Sequence, residues 1–371
     1  MTKNSMILMN DFKAESTSLK EAELAAVRAV LESGYYILGP QVEGFEKNWS
    51  SICGVDFGIG VGNGMDAIEI ILRAANIGSG DEVITTPMTA FATVLAILRS
   101  GATPVLADIN LGSGLMDIES VRRCIGKKTK AILLVHLYGQ IKDMDEWVVL
   151  TNLHNLILIE DCSQSHLAKY KGRTAGSFGV AGAYSFYPTK NLGCIGDGGM
   201  IVTNSHSINE SAKMLRNYGQ SIRYEHPIVG LNSRLDEIQA AILNVRLSIL
   251  DKYTAQRKVI AKAYIGNILN QHIEILDPPA DVDSHVYHLF VIKTKKRDRL
   301  QEHLLARGVQ SLIHYPIPIH KQDAMPAIKR DARGLIKSEE FAKSCISIPC
   351  HPHMQISDIE AVIKAVNAFE G

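Results

Sequence analysis

Between residues 57 and 161 the chain alternates five short, almost wholly apolar runs with longer segments of helical periodicity. The runs are FGIGV (57–61), VITTP (83–87), PVLAD (104–108), AILLVHL (131–137) and LILIED (156–161). A strand with one wet face alternates polar and apolar residues, whereas a strand covered on both faces is apolar throughout. Helices fall between these runs: NGMDAIEIILRAANIG ending near Gly78, Ala90–Ser100, and an amphipathic stretch from Asp143. Strand, helix, strand in this order gives right-handed crossovers and a mostly parallel sheet between helical layers. The expected fold class is therefore α/β.

The flanking segments extend this pattern. In EAELAAVRAVLES (21–33), Leu24, Val27 and Leu31 recur at helical spacing, and Gly34 follows as a C-cap. The turn-rich YYILGP comes next, then a short helix near 41–52. AYSFYP (183–188) and GMIVTN (199–204) read as two strands joined by a glycine-rich passage, with an antiparallel return. From Ser233 the residues Leu235, Ile238, Ile242, Val245 and Ile249 predict one long helix, with Asn232 or Ser233 as its cap. Beyond it VYHLFVIKT (286–294) reads as a strand, RDRLQEHLLARG (297–308) as a helix, and the tail from Ser357 as another. We therefore expect a large domain over 1–250 and a smaller α+β domain over 251–371, with the long helix bridging them.

Composition narrows the function classes. With 39 Lys+Arg against 39 Asp+Glu the chain has no net charge, which argues against a general grip on nucleic acid or an anionic membrane. No run of eighteen apolar residues occurs, and acidic residues appear too early for a secretory signal. The six cysteines form no CxxC pair, so free thiols in a reducing cytoplasm are expected and no metal site.

The residues able to carry chemistry gather between Ile159 and Asn204. Asp161 ends a strand, where α/β sheets bind their ligands. Lys190 lies in a loop after another strand, followed by Gly193, Gly196, Gly198 and Gly199, which let backbone approach a ligand. A lysine of lowered pKa can form a Schiff base, and an aspartate can keep a pyridine nitrogen protonated; together they are the protein's share of pyridoxal phosphate chemistry. Gly62 and Gly64 precede a helix start, so the amides of Met65 and Asp66 can meet an anion, and Ser185 can add a hydroxyl. Phe91, in TAFAT, can stack on a ring. Singly, each has an ordinary reading: a solvated loop lysine, a turn-forming aspartate, a core phenylalanine, a packed His166. The glycine pair also lacks the rest of a dinucleotide fingerprint, which disfavours a nicotinamide-dependent enzyme.

Several blocks, in order, resemble one family. SGYYILGPQVEGFE, EDCSQSHLAKYKGRTAGSFG, AYSFYPTKNLGCIGDGGMIVTN, LRNYGQ and LNSRLDEIQAAIL are similar to the nucleotide-sugar aminotransferases of the DegT/StrS group. The resemblance implies the pyridoxal-phosphate (PLP) transferase fold of type I, with a mostly parallel seven-stranded sheet. It implies that Lys190 carries the cofactor covalently and later moves the proton. Asp161 would pair with the ring nitrogen, Gln164 with the 3-hydroxyl, and Phe91 would cover the ring. Ser185, Gly64 and the amide of Met65 would hold the phosphate; the family often has Thr where Met65 stands. Asn232 would reach the cofactor of a neighbouring subunit, making a homodimer the minimal unit. Cys162, Ser163 and Ser165 stand where relatives are commonly Ala-rich. Relatives with His in place of the lysine remove a hydroxyl instead, so Lys190 favours transamination.

SLIHYPIPIHKQ (311–322) is similar to a segment of enzymes that aminate C-3 of a dTDP-linked 3-keto-6-deoxyhexose. By that resemblance Tyr187, His314 and Tyr315 contact the substrate, with hydroxyl and imidazole groups suited to sugar and diphosphate oxygens. L-glutamate would be the donor and a 3-amino-3,6-dideoxyhexose for a surface glycan the product. A C-4 aminotransferase and a sugar-nucleotide binding protein without turnover are the alternatives. Arg223 and Tyr224 are further candidates for the diphosphate or base.

Overall fold

The computed structural model describes residues 6–279, 281–325 and 327–371. Strands β1 (Phe57–Val61), β2 (Glu82–Thr85), β3 (Thr103–Leu106), β4 (Thr129–Val135) and β5 (Ile157–Asp161) form where the five apolar runs lie. A small hairpin, β6 (Lys169–Tyr170) and β7 (Arg173–Thr174), precedes β8 (Ala181–Ser185) and β9 (Gly199–Thr203). The later strands are β10 (Glu274–Ile275), β11 (Phe290–Lys293), β12 (Lys329–Arg330) and β13 (Cys345–Ile348).

The main sheet runs β1-β9-β8-β5-β4-β2-β3-β12. Only β9 is antiparallel to its neighbours β8 and β1, so the glycine-rich passage before it is indeed a return. The sheet has eight strands rather than seven. The extra strand, β12, comes from the C-terminal part and pairs parallel with Val105 and Leu106 of β3, whose backbone groups would otherwise form a bare edge. Two charge pairs hold it there. Lys329 Nζ lies 2.8 Å from Glu82 Oε1, and Arg123 grips Asp331 through Nε and Nη2.

Helices α1 (Thr17–Ser33), α2 (Pro40–Cys53), α3 (Gly64–Ala74), α4 (Phe91–Arg99), α5 (Ile118–Cys124), α6 (Met144–Leu153) and α7 (His206–Leu215) follow in chain order. The period-two alternation of the strands separates two apolar layers. Ile132, Leu134 and Leu158 face Phe45 and Trp49 of α2 and Met144, Trp147 and Leu150 of α6. Ala131, Leu133 and Ile159 face Ile68 and Ile71 of α3, Ile97 of α4 and Leu215 of α7. Helix α1 ends at Gly34 in the left-handed conformation, φ 65°, as the C-cap reading expects. Its buried residues are Leu19 and Val30; Leu24 and Leu31 remain 69% and 55% exposed.

The long helix expected from Ser233 is instead two: α8 (Glu237–Leu247), with Asp236 at its N-cap position, and α9 (Leu250–Asn267). Ser233 is not a cap because its hydroxyl serves the start of α3, donating to Asp66 Oδ2 (2.7 Å) and accepting from Gly62 N (3.0 Å). The break lets each helix serve a different core. Leu243 packs in the α2/α6 layer, whereas Ile260, Ala261 and Tyr264 pack in a third cluster with Phe290, Ile292, Leu300, Ile346 and Val362. That cluster is completed by α10 (Arg297–Ala306) and α12 (Ile356–Asn367), with α11 (Ile336–Ser344) on a neighbouring one. Strand β11 starts at Phe290, later than the expected 286, because Tyr287 adopts φ 48° and the preceding residues are held elsewhere.

Candidate active site

The sheet register brings three strand ends together. Asp161 lies opposite both Val135 of β4 and Ala183 of β8, so Ser185 emerges just beyond it. Helix α3 starts at the same level. Asn63 caps it, accepting from Asp66 N (2.8 Å). The amides of Gly64 and Met65 then have no hydrogen-bond partner among the described residues. Gly64 must be glycine, because a Cβ there would lie 2.7 Å from the Cβ of Ser185.

One cavity is lined by Gly64, Met65, Thr89, Thr93, His136, Asp161, Ser163, Gln164, Ser185 and Lys190, among others. Six residues expected at the cofactor thus share one wall system: Gly64, Met65, Asp161, Gln164, Ser185 and Lys190. Their fit to PLP rests on the donor set. At one end stand two free helix-start amides and the Ser185 hydroxyl, suited to a phosphate. Elsewhere stand a buried carboxylate, suited to a protonated ring nitrogen, and an amine. Burial pulls Lys190 down from 10.5 to about 8, and Asp161 opposes that pull. A larger share of the amine is therefore neutral near physiological pH than for a solvated lysine.

Asp161 Oδ2 accepts from Thr93 Oγ1 (2.9 Å), which is 2.8 Å from Thr89 Oγ1, and Oδ1 accepts from Ser163 N (3.1 Å). Gln164 Oε1 accepts from Tyr138 N (2.6 Å), and its Nε2 donates to Tyr315 Oη (3.4 Å). Tyr138 holds φ 62°, a left-handed conformation that aims its amide at Gln164. His166 Nε2 donates to the Ser185 carbonyl (3.0 Å). Burial, then the charge of Lys190, lowers His166 to about 3, so it stays neutral.

Not every expected residue lines this cavity. Phe91 packs against a cluster of Val94, Leu106, Ile319, Met325 and Leu335. Asn232 is exposed, paired in a single bridge with Asn217. Tyr187 is 52% exposed. Tyr315 reaches the site through Gln164, and burial pushes its hydroxyl up to about 12. His314 Nδ1 lies 2.9 Å from Ser347 Oγ, and burial with Lys190's charge lowers it to about 4. Arg223 stacks on Tyr224, which is fully outside the cavity lining.

Sequence reasoning passed over Thr89, Thr93, His136 and Tyr138, and it noted Ser163 only as a departure from the Ala-rich pattern of relatives. Thr89 lies just before the start of α4 and Thr93 in its first turn, and these two, like His136 and Tyr138, are joined to the site only by the fold. It also passed over the role of Glu160. Its carboxylate accepts from Phe178 N (2.7 Å), Gly179 N (2.9 Å), Gly176 N (2.8 Å) and His136 Nε2 (2.9 Å). Burial works to raise its pKa, but His136 and these amides outweigh it and hold the carboxyl below its ordinary range.

Comparison with known proteins places this geometry. The model of the DegT/DnrJ/EryC1/StrS aminotransferase family matches residues 17–367. The chain is 41% identical to the dTDP-3-amino-3,4,6-trideoxy-alpha-D-glucose transaminase of Streptomyces venezuelae, covering 97% of this chain and 95% of that one. It is 45% identical to the dTDP-3-amino-3,6-dideoxy-alpha-D-galactopyranose transaminase of Aneurinibacillus thermoaerophilus, covering 93% and 94%. The solved structure of S. venezuelae DesV superposes with a TM-score of 0.94 at 40% identity over 98% of both chains. The family is PLP-dependent, and no helix among the described residues is long and apolar enough to cross a membrane. A match over nearly the whole length, on a site with the amine, acid and anion nest in one cavity, establishes that the chain belongs to the DegT/DnrJ/EryC1/StrS aminotransferase family.

Proposed function

We propose that this aminotransferase moves an amino group from L-glutamate to C-3 of a dTDP-linked 3-keto-6-deoxyhexose, giving a 3-amino-3,6-dideoxyhexose for a surface glycan. The observation that carries the reading is the meeting of Lys190, Asp161, Gln164 and Ser185 on one cavity beside free helix-start amides. PLP, when bound, supplies an electron sink that lets nitrogen pass between two carbon skeletons. The residues of this chain do the rest. The amides of Gly64 and Met65 and the hydroxyl of Ser185 would hold the phosphate. Asp161, fixed by Thr93 and Ser163, would keep the ring nitrogen protonated. Gln164 would meet the 3-hydroxyl, and Phe91 would cover the ring after a shift from its present packing. Lys190 Nζ would attach the cofactor and, once released by the donor, carry the proton between carbon and nitrogen.

The keto-sugar would be held by Tyr187, His314 and Tyr315, whose hydroxyl and imidazole groups suit sugar and diphosphate oxygens. The C-3 preference rests on the substrates named for the two relatives above. Asn232 would reach the phosphate bound by a second subunit. The exposed Leu24 and Leu31 of α1 give a homodimer an apolar face to cover. A cytoplasmic setting fits six buried free thiols. Incubation with glutamate and a panel of dTDP-keto-sugars, with the aminated carbon identified by NMR, tests the assignment. Amination at C-4, or of no sugar in the panel, would remove it.

A further inference from the structure

The residue after the lysine is held by the far part of the chain. Asn191 Nδ2 donates to the carbonyl of Val286 (3.0 Å). A carbonyl only accepts, so this bond fixes which way the amide points: its nitrogen faces Val286 and its oxygen faces His288. His288 Nδ1 lies 3.3 Å from that oxygen, so Nδ1 carries a proton and donates it. His288 is buried, and burial, with the charges of Lys190 and Arg257, pushes it well below 6.5. It is therefore neutral and has a single proton, on Nδ1, which leaves Nε2 bare.

From the other side α9 holds the same segment. Arg257 Nη1 donates to the carbonyls of Tyr287 (3.3 Å) and His288 (3.4 Å) and to that of Cys350. The lysine loop itself has little slack. Lys190 N donates to Tyr187 O (2.8 Å), and a Cβ on Gly193 would lie 2.6 Å from the Pro188 carbonyl. The loop is thus closed on itself at one end and clamped at Asn191 to a segment that Arg257 immobilises.

We propose that His288 is a positioning residue for Lys190, acting through its Nδ1–H bond to Asn191. The inference rests on the reading of Lys190 as the cofactor-attaching lysine. Fixing the Asn191 side chain fixes the peptide next to Lys190, and with it the direction in which the amine leaves the loop. Displacement of a reacting group by about 1 Å can cost about 100-fold in rate. On the loop side the clamp runs through the Asn191 side chain, so losing its bond to His288 loosens the peptide next to Lys190.

The test uses the full-length protein, with PLP itself as the probe. His288→Leu removes the donor. His288→Asn places an amide N–H where imidazole Nδ1 was and restores it. The expected result is a PLP Kd raised at least about fivefold and kcat lowered about tenfold in His288→Leu, with the KM for the keto-sugar little changed, and near-wild-type values in His288→Asn. Asn191→Ala loses this bond and the one to Val286, so it should be impaired at least as much as His288→Leu, and the double variant should be no worse than Asn191→Ala, because the His288 bond is already gone there. If His288→Leu does not fold, Asn191→Ala read against His288→Asn carries the test. Unchanged PLP affinity in His288→Leu and Asn191→Ala, equal impairment in His288→Asn, or additive losses in the double variant would overturn the proposal. Wild-type protein that binds no PLP would overturn the reading of the site as well, so the two failures are distinct.

Discussion

Glu160 and Asp161 are consecutive acids at the end of β5, yet they face two different regions. Beneath the strand, Glu160 meets four donors at 2.7–2.9 Å, three of them backbone amides of the 176–179 turn. Above it, Asp161 meets one hydroxyl and one amide and looks into a cavity shared with Lys190. A carboxylate has room for about four hydrogen bonds. The first acid is saturated and ties the fold; the second keeps acceptor capacity for something else. Partial satisfaction at a buried charge, more than burial or charge alone, is what marks the functional side.

The sharpest challenge to that division is removal of the amine. Lys190→Ala should lower transamination by at least about 10³-fold while leaving unfolding by heat cooperative, since no core residue is touched. A variant with wild-type turnover would end the assignment of the open side as catalytic. Next comes the pair of acids. Asp161→Asn can keep acceptance from Ser163 N while its NH2 donates to the Thr93 hydroxyl, which can turn to accept it, and should lose about 100-fold or more in activity with little change in thermal midpoint. Glu160→Gln puts an N–H against a ring of donors and should cost about 3–5 kcal/mol of stability, while the fraction that folds still binds PLP. If circular dichroism and turnover showed the reverse pattern, the two regions would have to exchange roles.

A smaller effect is expected at the periphery. Asn232→Ala should weaken PLP affinity about tenfold if its amide reaches a second subunit's phosphate. An unchanged Kd by fluorescence titration would leave each cavity self-sufficient. The smallest effect concerns His166, neutral beneath Ser185. Its folded pKa, about 3, lies below the ordinary 6.5, so the stability it confers is full above about 6.5 and is lost as the pH falls towards 3. His166→Gln keeps an N–H for the Ser185 carbonyl and removes the titration. Its unfolding free energy should therefore fall less between pH 7 and pH 5 than that of the wild type. Equal slopes in denaturant titrations would show that the fold does not lower the pKa of His166.

Local pattern carried much of this into view. The runs at 57–61 and 156–161 are strands because every residue in them is apolar or at a strand end, and Gly34 stops α1 because only a left-handed residue closes it there. Asp161, Ser185 and Lys190 could be grouped because strand ends, helix starts and glycine loops are local signals. What escaped depended on tertiary demand. The apolar spacing from Leu235 to Ile249 suits one straight helix, but two cores compete for its faces and the chain breaks at 248–249. Thr93 and Tyr138 look like ordinary helix and loop residues until Asp161 and Gln164 are folded against them. The clamp of Asn191 by Val286 and His288 spans some 95 residues and has no sequence signature at all.

The two residues of β12 have a practical consequence for anyone dissecting this protein. A fragment ended at 250 would retain every residue lining the cavity with Lys190 yet would shed the strand that pairs the outer edge of Val105 and Leu106. Its sheet would offer a raw hydrogen-bonding margin to any passing strand, including that of an identical fragment, and self-association would then compete with cofactor binding. Minimal versions of this enzyme should therefore be built by shortening loops inside the chain, never by trimming away the half that seems remote from the chemistry.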